Sequence, residues 1–255
     1  MDGWSILAEL KRDVFGSVEL VADGERRAAR RVARGSRVPG SRWLARVLLR
    51  REERALRALG PTPRVPTLVE DRELAVLPCL DGHRPREGTV LVRSWIAGEP
   101  LHRAAALPED FFDRLDDLVV RLHDRGICHN DLHKEQNVLV CDDGFPALID
   151  FQLASRHPRR GRTFRSRTHD DLRHVQKMRR RYTRDGRGPT GEEQRGLGHG
   201  KRRTLLPRLW RRLGKPAYLF VTRRLLGTRD GEERRPSSGP WPEWVAPVGK
   251  DREAY

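Results

Sequence analysis

Alternating apolar and polar residues in the first part of the chain predict β-strands. The pattern indicates three antiparallel strands, at residues 6–10, 18–21 and 27–32. Asp23-Gly24 is a favourable hairpin turn between the second strand and the third. Apolar residues then recur at helical spacing over residues 41–59, and Gly60-Pro61 ends the predicted helix. Apolar runs between prolines predict further short strands, at residues 67–69, 74–77 and 89–93.

The later part of the chain predicts three more helices and a hairpin. Apolar residues from Phe111 to Leu122 lie on one helical face, and Gly126 ends that helix. Short apolar runs predict buried strands, and Asp142-Asp143-Gly144 is a hairpin turn between the last two. The remaining segments predict a basic loop, a helix, a glycine-rich linker and a basic amphipathic helix, at residues 156–167, 170–182, 185–200 and 204–226.

Positive charge is concentrated in one part of the chain. The formal net charge is +16, but residues 156–235 carry a net +18 and the remainder a net −2. Basic amphipathic segments that contain tryptophan can lie on anionic membranes, so residues 204–226 suggest such a contact. The alternative is a helical cap with a solvated basic face. No nucleic-acid reading motif accompanies the charge, so we do not expect a nucleic-acid partner.

Cysteine usage and the amino terminus predict a cytoplasmic protein. The three cysteines show no metal-ligand spacing and suggest reduced thiols. We expect no signal peptide, because no basic region precedes an apolar run. No stretch approaches the roughly 18 apolar residues that a membrane span needs. The expected location is therefore the cytoplasm, and a peripheral position at the inner membrane face is the alternative.

Three polar side chains flank the predicted hairpin and carry the candidate chemistry. Asp131 lies in the polar loop before it, Asn137 directly precedes its first strand and Asp150 directly follows its second. Oxygen ligands on facing strands suit Mg²⁺, which binds few protein ligands and leaves room for phosphate oxygens. A separate aspartate could accept a proton from a hydroxyl nucleophile. Any one of these residues alone would be an ordinary turn residue; the ordered set indicates a site.

The segment H-N-D-L-H-K-E-Q-N at residues 129–137, followed by D-F-Q-L-A, resembles the catalytic loop and the metal-binding D-F-G of the protein-kinase-like superfamily. It looks closer to small bacterial kinases related to RIO kinases and lipopolysaccharide core kinases than to eukaryotic-type kinases. The resemblance implies ATP and Mg²⁺ as cofactors. It also implies Asp131 as the base, Asn137 and Asp150 as Mg²⁺ ligands, and Lys134 as a contact of the γ-phosphate.

The same resemblance implies an α+β, two-lobed protein-kinase-like fold. A small lobe with an antiparallel sheet would span residues 1–94, and a reduced, mainly helical lobe with the catalytic loop would span residues 95–183. Residues 184–255 would form a basic carboxy-terminal extension, partly helical and partly disordered. The backbone after residue 93 would contact the adenine edge.

The phosphate-binding side departs from the family pattern. Phe15-Gly16-Ser17-Val18 is similar to the end of a glycine-rich loop, with Gly16 retained and Lys11 where another glycine is expected. Aligning residues 28–32 on V-A-I-K places Arg30 at the phosphate-binding lysine. The helical R-E-x-x-x-L pattern makes Glu52 its partner, with Glu53 one residue away. Either Arg30 binds phosphate with altered geometry, or Lys11 supplies the ammonium, or activity is lost; we favour Arg30 assisted by Lys11.

Other departures concern regulation and the metal ligands. The interval from Asn137 to Asp150 matches the family, so Asn137 rather than Gln136 is the expected ligand. Asn130 replaces the arginine that receives a phosphorylated activation loop, so we expect no such switch. Gln152 replaces the glycine of D-F-G, which predicts less mobility at that position.

The predicted function is transfer of the ATP γ-phosphate to a hydroxyl group. A serine or threonine of a protein is the first expectation, as in RIO-like kinases. The alternatives are a lipid-linked sugar of the lipopolysaccharide core, and a catalytically inactive pseudokinase that acts as a binding module.

Overall fold

The computed structural model describes residues 3–183, and its first part is an antiparallel sheet. Four strands pair in the order β1-β2-β3-β4, with β1 at Ser5–Asp13, β2 at Gly16–Asp23, β3 at Arg26–Ala33 and β4 at Val90–Ser94. Val21 of β2 and Ala28 of β3 are directly paired, and both are buried, as the apolar positions of the sequence pattern predict. The fourth strand comes from far along the chain and pairs with β3.

Two helices lie between β3 and β4 in the chain. Helix α1 spans Ser41–Leu59 and α2 spans Arg72–Val76. The buried positions of α1 recur at helical spacing, and they are Ser41, Ala45, Leu49, Glu52, Ala55, Leu56 and Leu59. Gly60 ends α1 with a left-handed φ of 58°, and its backbone N–H donates to the Leu56 carbonyl at 2.9 Å.

The second part of the fold combines two helices with short antiparallel strands. Its helices are α3 at Phe111–Asp124 and α4 at Arg162–Tyr182. Its strands form two small sheets, ordered β5-β7-β8 and β6-β9, with β5 at Glu99–Pro100, β6 at Ile127–Cys128, β7 at Val138–Val140, β8 at Pro146–Leu148 and β9 at Ser155–Arg156. Single 3-10 turns follow β5, precede β7 and follow β8, at Leu101–Arg103, Glu135–Asn137 and Phe151–Leu153.

The largest apolar core joins α1 to this second part. Buried side chains of α3, including Leu115, Val119 and Leu122, pack in one cluster with Leu56 of α1 and with Phe151. The mixture of helices and antiparallel sheets confirms the predicted α+β class. Among the described residues, no helix is both long and apolar enough to cross a membrane.

Three element predictions are wrong. Residues 67–69 do not form a strand, and Leu68 makes only an isolated β-bridge to Arg93. Residues 74–77 are not a strand, because the Asp71 side chain accepts a hydrogen bond from the Glu73 backbone at 2.9 Å and starts helix α2. Helix α4 begins at Arg162 rather than near residue 170, and buried Phe164 anchors its extra turns where a basic loop was expected. The linker at 185–200, the helix at 204–226 and the rest of the extension lie outside the described residues.

Candidate active site

A cavity of about 280 Å³ lies between the four-stranded sheet and the loop that connects β6 to β7. The sheet forms one wall, with apolar side chains and the cationic side chains of Lys11, Arg31 and Arg93, and the segment after β4 contributes Trp95 and Ile96. The opposite wall combines apolar side chains with polar ones, namely Lys134, Gln136, Asn137, Leu139, Ile149 and Asp150. An apolar cleft with a few convergent polar groups is the usual form of a small-molecule site.

The loop after β6 places Asp131 among three polar partners. Asp131 is buried, and the Asn137 amide nitrogen donates to its backbone carbonyl at 3.0 Å and to its Oδ2 at 3.1 Å. Lys134 Nζ lies 3.1 Å from Oδ2, and His133 Nδ1 lies 3.1 Å from Oδ1. The structure therefore brings Asp131, Lys134 and Asn137 together, as the sequence predicted.

The β7–β8 hairpin brings Asp150 beside Asn137. Val138 pairs with Leu148, and the Ile149 backbone N–H donates to the Asn137 carbonyl at 3.0 Å, so the flanking polar residues meet at one end of the hairpin. Asn137 uses its amide nitrogen on Asp131, which leaves its side-chain oxygen for another partner. A carboxylate and an amide oxygen side by side in the cavity wall fit a Mg²⁺ ion that also binds phosphate oxygens.

Asp150 itself is held in an unusual conformation and kept ionised. Its φ is 64°, in the left-handed region that few residues other than glycine adopt. Burial raises the pKa of its carboxyl, but the guanidinium groups of Arg31 and Arg93, with the Gln152 hydrogen bond, outweigh that effect and lower the pKa overall. Gln152 Nε2 donates to Asp150 Oδ1 at 2.7 Å. The carboxylate form that a metal ligand requires is therefore favoured.

Helix α4 supports the candidate catalytic loop at residues 129–137. The buried Asp171 carboxylate accepts the backbone N–H groups of His129 and Asn130, both at 2.8 Å, and lies 3.1 Å from His123 Nε2. Asn130 has a φ of 62°, so these bonds hold it in a left-handed conformation. Of the two adjacent aspartates of this helix, Asp170 and Asp171, it is Asp171 that braces the loop.

The predicted ion pair between Arg30 and Glu52 is wrong. Successive side chains of a strand point to opposite faces, and Arg30 lies on the face of β3 that points away from Glu52. Arg30 is fully buried there, with Nη1 donating to Glu19 Oε2 at 2.7 Å and the guanidinium also donating to the Leu77 carbonyl. Arg31, the next residue, lines the cavity instead.

Glu52 has two arginine neighbours on the sheet. Its Oε1 accepts from Arg93 Nη1 at 2.5 Å, and its Oε2 lies 3.5 Å from Arg31 Nε. Both arginines line the cavity together with Lys11 and Asp150. Glu53 faces outward and pairs with Arg57. The structure therefore places Glu52 rather than Glu53 against the sheet, with arginine partners that the sequence did not indicate.

The β1–β2 hairpin departs from a phosphate-binding glycine-rich loop. The Asp13 side chain accepts the backbone N–H groups of Phe15 and Gly16, at 2.7 and 3.1 Å, so these donors are used inside the turn. A Cβ on Gly16 would lie 1.9 Å from the Val32 carbonyl oxygen, so glycine is required for packing against β3. Gly16 does not line the main cavity, whereas Lys11 does.

Comparison with known proteins supports the chemistry that this geometry suggests. Residues 91–160 match the family model APH, the phosphotransferase enzyme family. That segment begins in β4 and includes Asp131, Asn137 and Asp150. A search of curated proteins finds no match to the chain. The family match supports a phosphotransferase of the protein-kinase-like superfamily, and it gives no support to the RIO-like or lipopolysaccharide-kinase-like assignment.

Proposed function

We propose that the protein transfers the γ-phosphate of ATP to an alcohol hydroxyl in a Mg²⁺-dependent reaction. The observation that carries this proposal is that Lys134, Asn137 and Asp150 line one wall of a cleft of suitable size, and that buried Asp131 contacts the first two of them. The match of residues 91–160 to phosphotransferases supports it independently.

The proposed roles follow from where the side chains lie. Asp131 accepts the proton of the acceptor hydroxyl, and Asn137 and Lys134 hold its carboxylate in position. Asn137 and Asp150 would bind Mg²⁺, which neutralises charge on the phosphates. Lys134 contacts the transferred phosphate, and cationic side chains of the sheet wall contact the other phosphates of ATP.

We also propose the two-lobed arrangement of protein kinases, with the sheet and α1 as the small lobe and the residues after β4 as the larger one. The position of the cavity between these two parts supports this arrangement. In it, the segment that starts at Trp95 is the hinge, and its backbone binds the adenine edge.

A serine or threonine hydroxyl of a protein remains the first candidate acceptor, as in the RIO-like kinases that the order D-L-H-K…N with D-F-Q-L-A resembles. A lipid-linked sugar is the second candidate, and the net +18 of residues 156–235 favours it by attraction to anionic membranes. The use of the hairpin amides by Asp13 favours an inactive nucleotide-binding module.

An assay with γ-labelled ATP and a panel of protein and lipopolysaccharide acceptors tests the proposal. We expect Asp131→Asn to lower transfer by roughly 10²- to 10⁴-fold, because a positioned base contributes about that much, and to leave ATP binding intact. Asp142→Asn, in the exposed turn of the hairpin, is the matched control and should transfer normally.

Two outcomes contradict parts of the proposal. Full transfer by the Asp131→Asn variant would show that Asp131 is not the base. Tight Mg²⁺·ATP binding by the unmodified chain without transfer to any acceptor would instead support the binding module.

A further inference from the structure

Two arginines and one glutamate occupy the place where the family pattern has a single lysine and a glutamate. Arg93 Nη1 donates to Glu52 Oε1 at 2.5 Å, whereas Arg31 Nε lies 3.5 Å from Glu52 Oε2, too far for a strong hydrogen bond. Ala29 pairs with Arg93 across β3 and β4, and Arg31 lies two residues after Ala29, so both guanidinium groups extend from the same face of the sheet.

The distances show that Arg93 is the main partner of Glu52. The Glu52 side chain is fully buried, and a buried carboxylate without a cation is strongly unfavourable. Glu52 Oε2 and Arg31 Nε are both buried without a hydrogen-bond partner in the described structure, so the contact between them is not a formed hydrogen bond. Arg31 Nε therefore makes no hydrogen bond to Glu52, whereas Arg93 donates to Glu52 and neutralises it.

Arginine chemistry explains why a second cation is needed. A lysine ammonium is compact and can contact a glutamate and a phosphate at once, whereas a guanidinium prefers to bind one carboxylate through two parallel hydrogen bonds. If Arg31 were the only partner of Glu52, that paired geometry would turn its donors away from the cavity. With Arg93 on Glu52, the carboxylate has its cation, and Arg31 lines the cavity together with Lys11 and Asp150.

We propose that Arg93 is a positioning residue that holds Glu52 and thereby leaves Arg31 to bind the nucleotide phosphates. The two functions of one lysine are thus divided between two arginines on adjacent strands. This inference rests on the proposed function, because it concerns the same ATP site.

Two double variants of equal charge test this division. Glu52→Gln with Arg93→Met leaves Arg31 as the arginine at this position, and Glu52→Gln with Arg31→Met leaves Arg93. The affinities for Mg²⁺·ATP and for adenosine are measured by calorimetry, and Arg27→Met, on the exposed part of β3, is the control. Because Glu52 is neutralised in both, neither variant contains an unpaired buried carboxylate.

We expect the variant that keeps Arg31 to bind Mg²⁺·ATP nearly as well as the unmodified chain. The variant that keeps Arg93 should bind it roughly 10- to 100-fold more weakly, which is the effect of losing a charged hydrogen bond. Adenosine, which has no phosphates, should bind both equally. Arg93→Lys alone should retain affinity for Mg²⁺·ATP, because a lysine can still neutralise Glu52.

The opposite order of the two affinities, or equal affinities, would overturn the division of function. A difference that also appears with adenosine would show that the variants change the cavity rather than phosphate binding, and would overturn it as well. Failure of the unmodified chain to bind Mg²⁺·ATP is a separate result. It would reject the proposed function, and this inference with it.

Discussion

Arg30 and Arg31 are adjacent on β3 but have different surroundings. Arg30 is fully buried on one face, and its guanidinium pairs with Glu19, which is itself fully buried. Arg31 lies on the other face, at the cavity wall. Removal of one partner from a buried ion pair leaves an uncompensated charge, so the two arginines should contribute to different properties of the protein.

We expect Arg30→Met to lower the free energy of unfolding by about 3–5 kcal/mol, because it leaves Glu19 buried without its cation. Arg31→Met should cost less stability, because Glu52 keeps Arg93, but should weaken Mg²⁺·ATP binding. Urea unfolding and calorimetry measure the two quantities. An Arg30→Met protein of normal stability that has lost ATP affinity would contradict this assignment and restore Arg30 as the phosphate cation.

The sequence could not separate these two arginines. The V-A-I-K pattern fits this strand in two registers, one ending at Arg30 and the other at Arg31, and alternation shows only that neighbouring side chains lie on opposite faces. Which face meets α1 depends on the pairing of β3 with β2 and β4. Arg93 was missed for a related reason, because its contact with Glu52 spans 41 residues and the family pattern has no second cation.

At the scale of elements, α4 is the support of the catalytic loop. Asp171 accepts two backbone N–H groups at one end of that loop. Near the other end, buried Glu135 accepts from the Tyr182 hydroxyl at 2.5 Å and from Arg181 Nη1 at 2.6 Å. The helix therefore fixes the loop on both sides of Asp131, which should make the geometry of the base depend on α4.

Substitution at two adjacent aspartates of α4 tests this support. We expect Asp171→Asn to reduce kcat more than KM for ATP, because the loop loses charged hydrogen bonds but the nucleotide wall is unchanged. The free energy of unfolding should fall by about 1.5–3 kcal/mol. Asp170→Asn, on the exposed side of the same helix, should change neither quantity. Equal effects of the two substitutions on kcat would exclude a specific role for Asp171.

The secondary-structure elements were predicted correctly where the apolar pattern was long, and wrongly where tertiary contacts determine the local structure. The 19-residue α1 was found from its apolar spacing, and its bounds agree with the structure. The helical turn at α2 could not be distinguished from a strand, because five residues are too few to show a period. The early start of α4 depends on Phe164, whose burial against His123 and His157 is not visible in the sequence.

At the scale of the whole molecule, α1 connects the sheet to the end of the cavity that contains the proposed metal ligands. Glu52 contacts β3 and β4. The preceding residue, Arg51, donates to the carbonyls of Leu153 and Ala154 at 3.0 and 3.3 Å. These carbonyls lie directly after the segment that carries Asp150. A ligand that contacts both walls of the cavity should therefore stabilise the sheet and the catalytic loop together.

Mg²⁺·ATP should stabilise the fold as a whole, and removal of the metal should reverse much of that effect. At about 100 times Kd a ligand adds about 2.7 kcal/mol, which corresponds to a rise of roughly 5–10 °C in Tm for a chain of this size. Asp150→Asn should keep its fold, because asparagine tolerates the left-handed φ of 64°, but should lose the part of the shift that depends on Mg²⁺. Thermal unfolding with ATP, in Mg²⁺ or in EDTA, measures this difference, with Asp142→Asn as the control. If EDTA left the ATP shift unchanged in the unmodified chain, Asn137 and Asp150 would not be metal ligands, whatever the fate of Asp131 as the base.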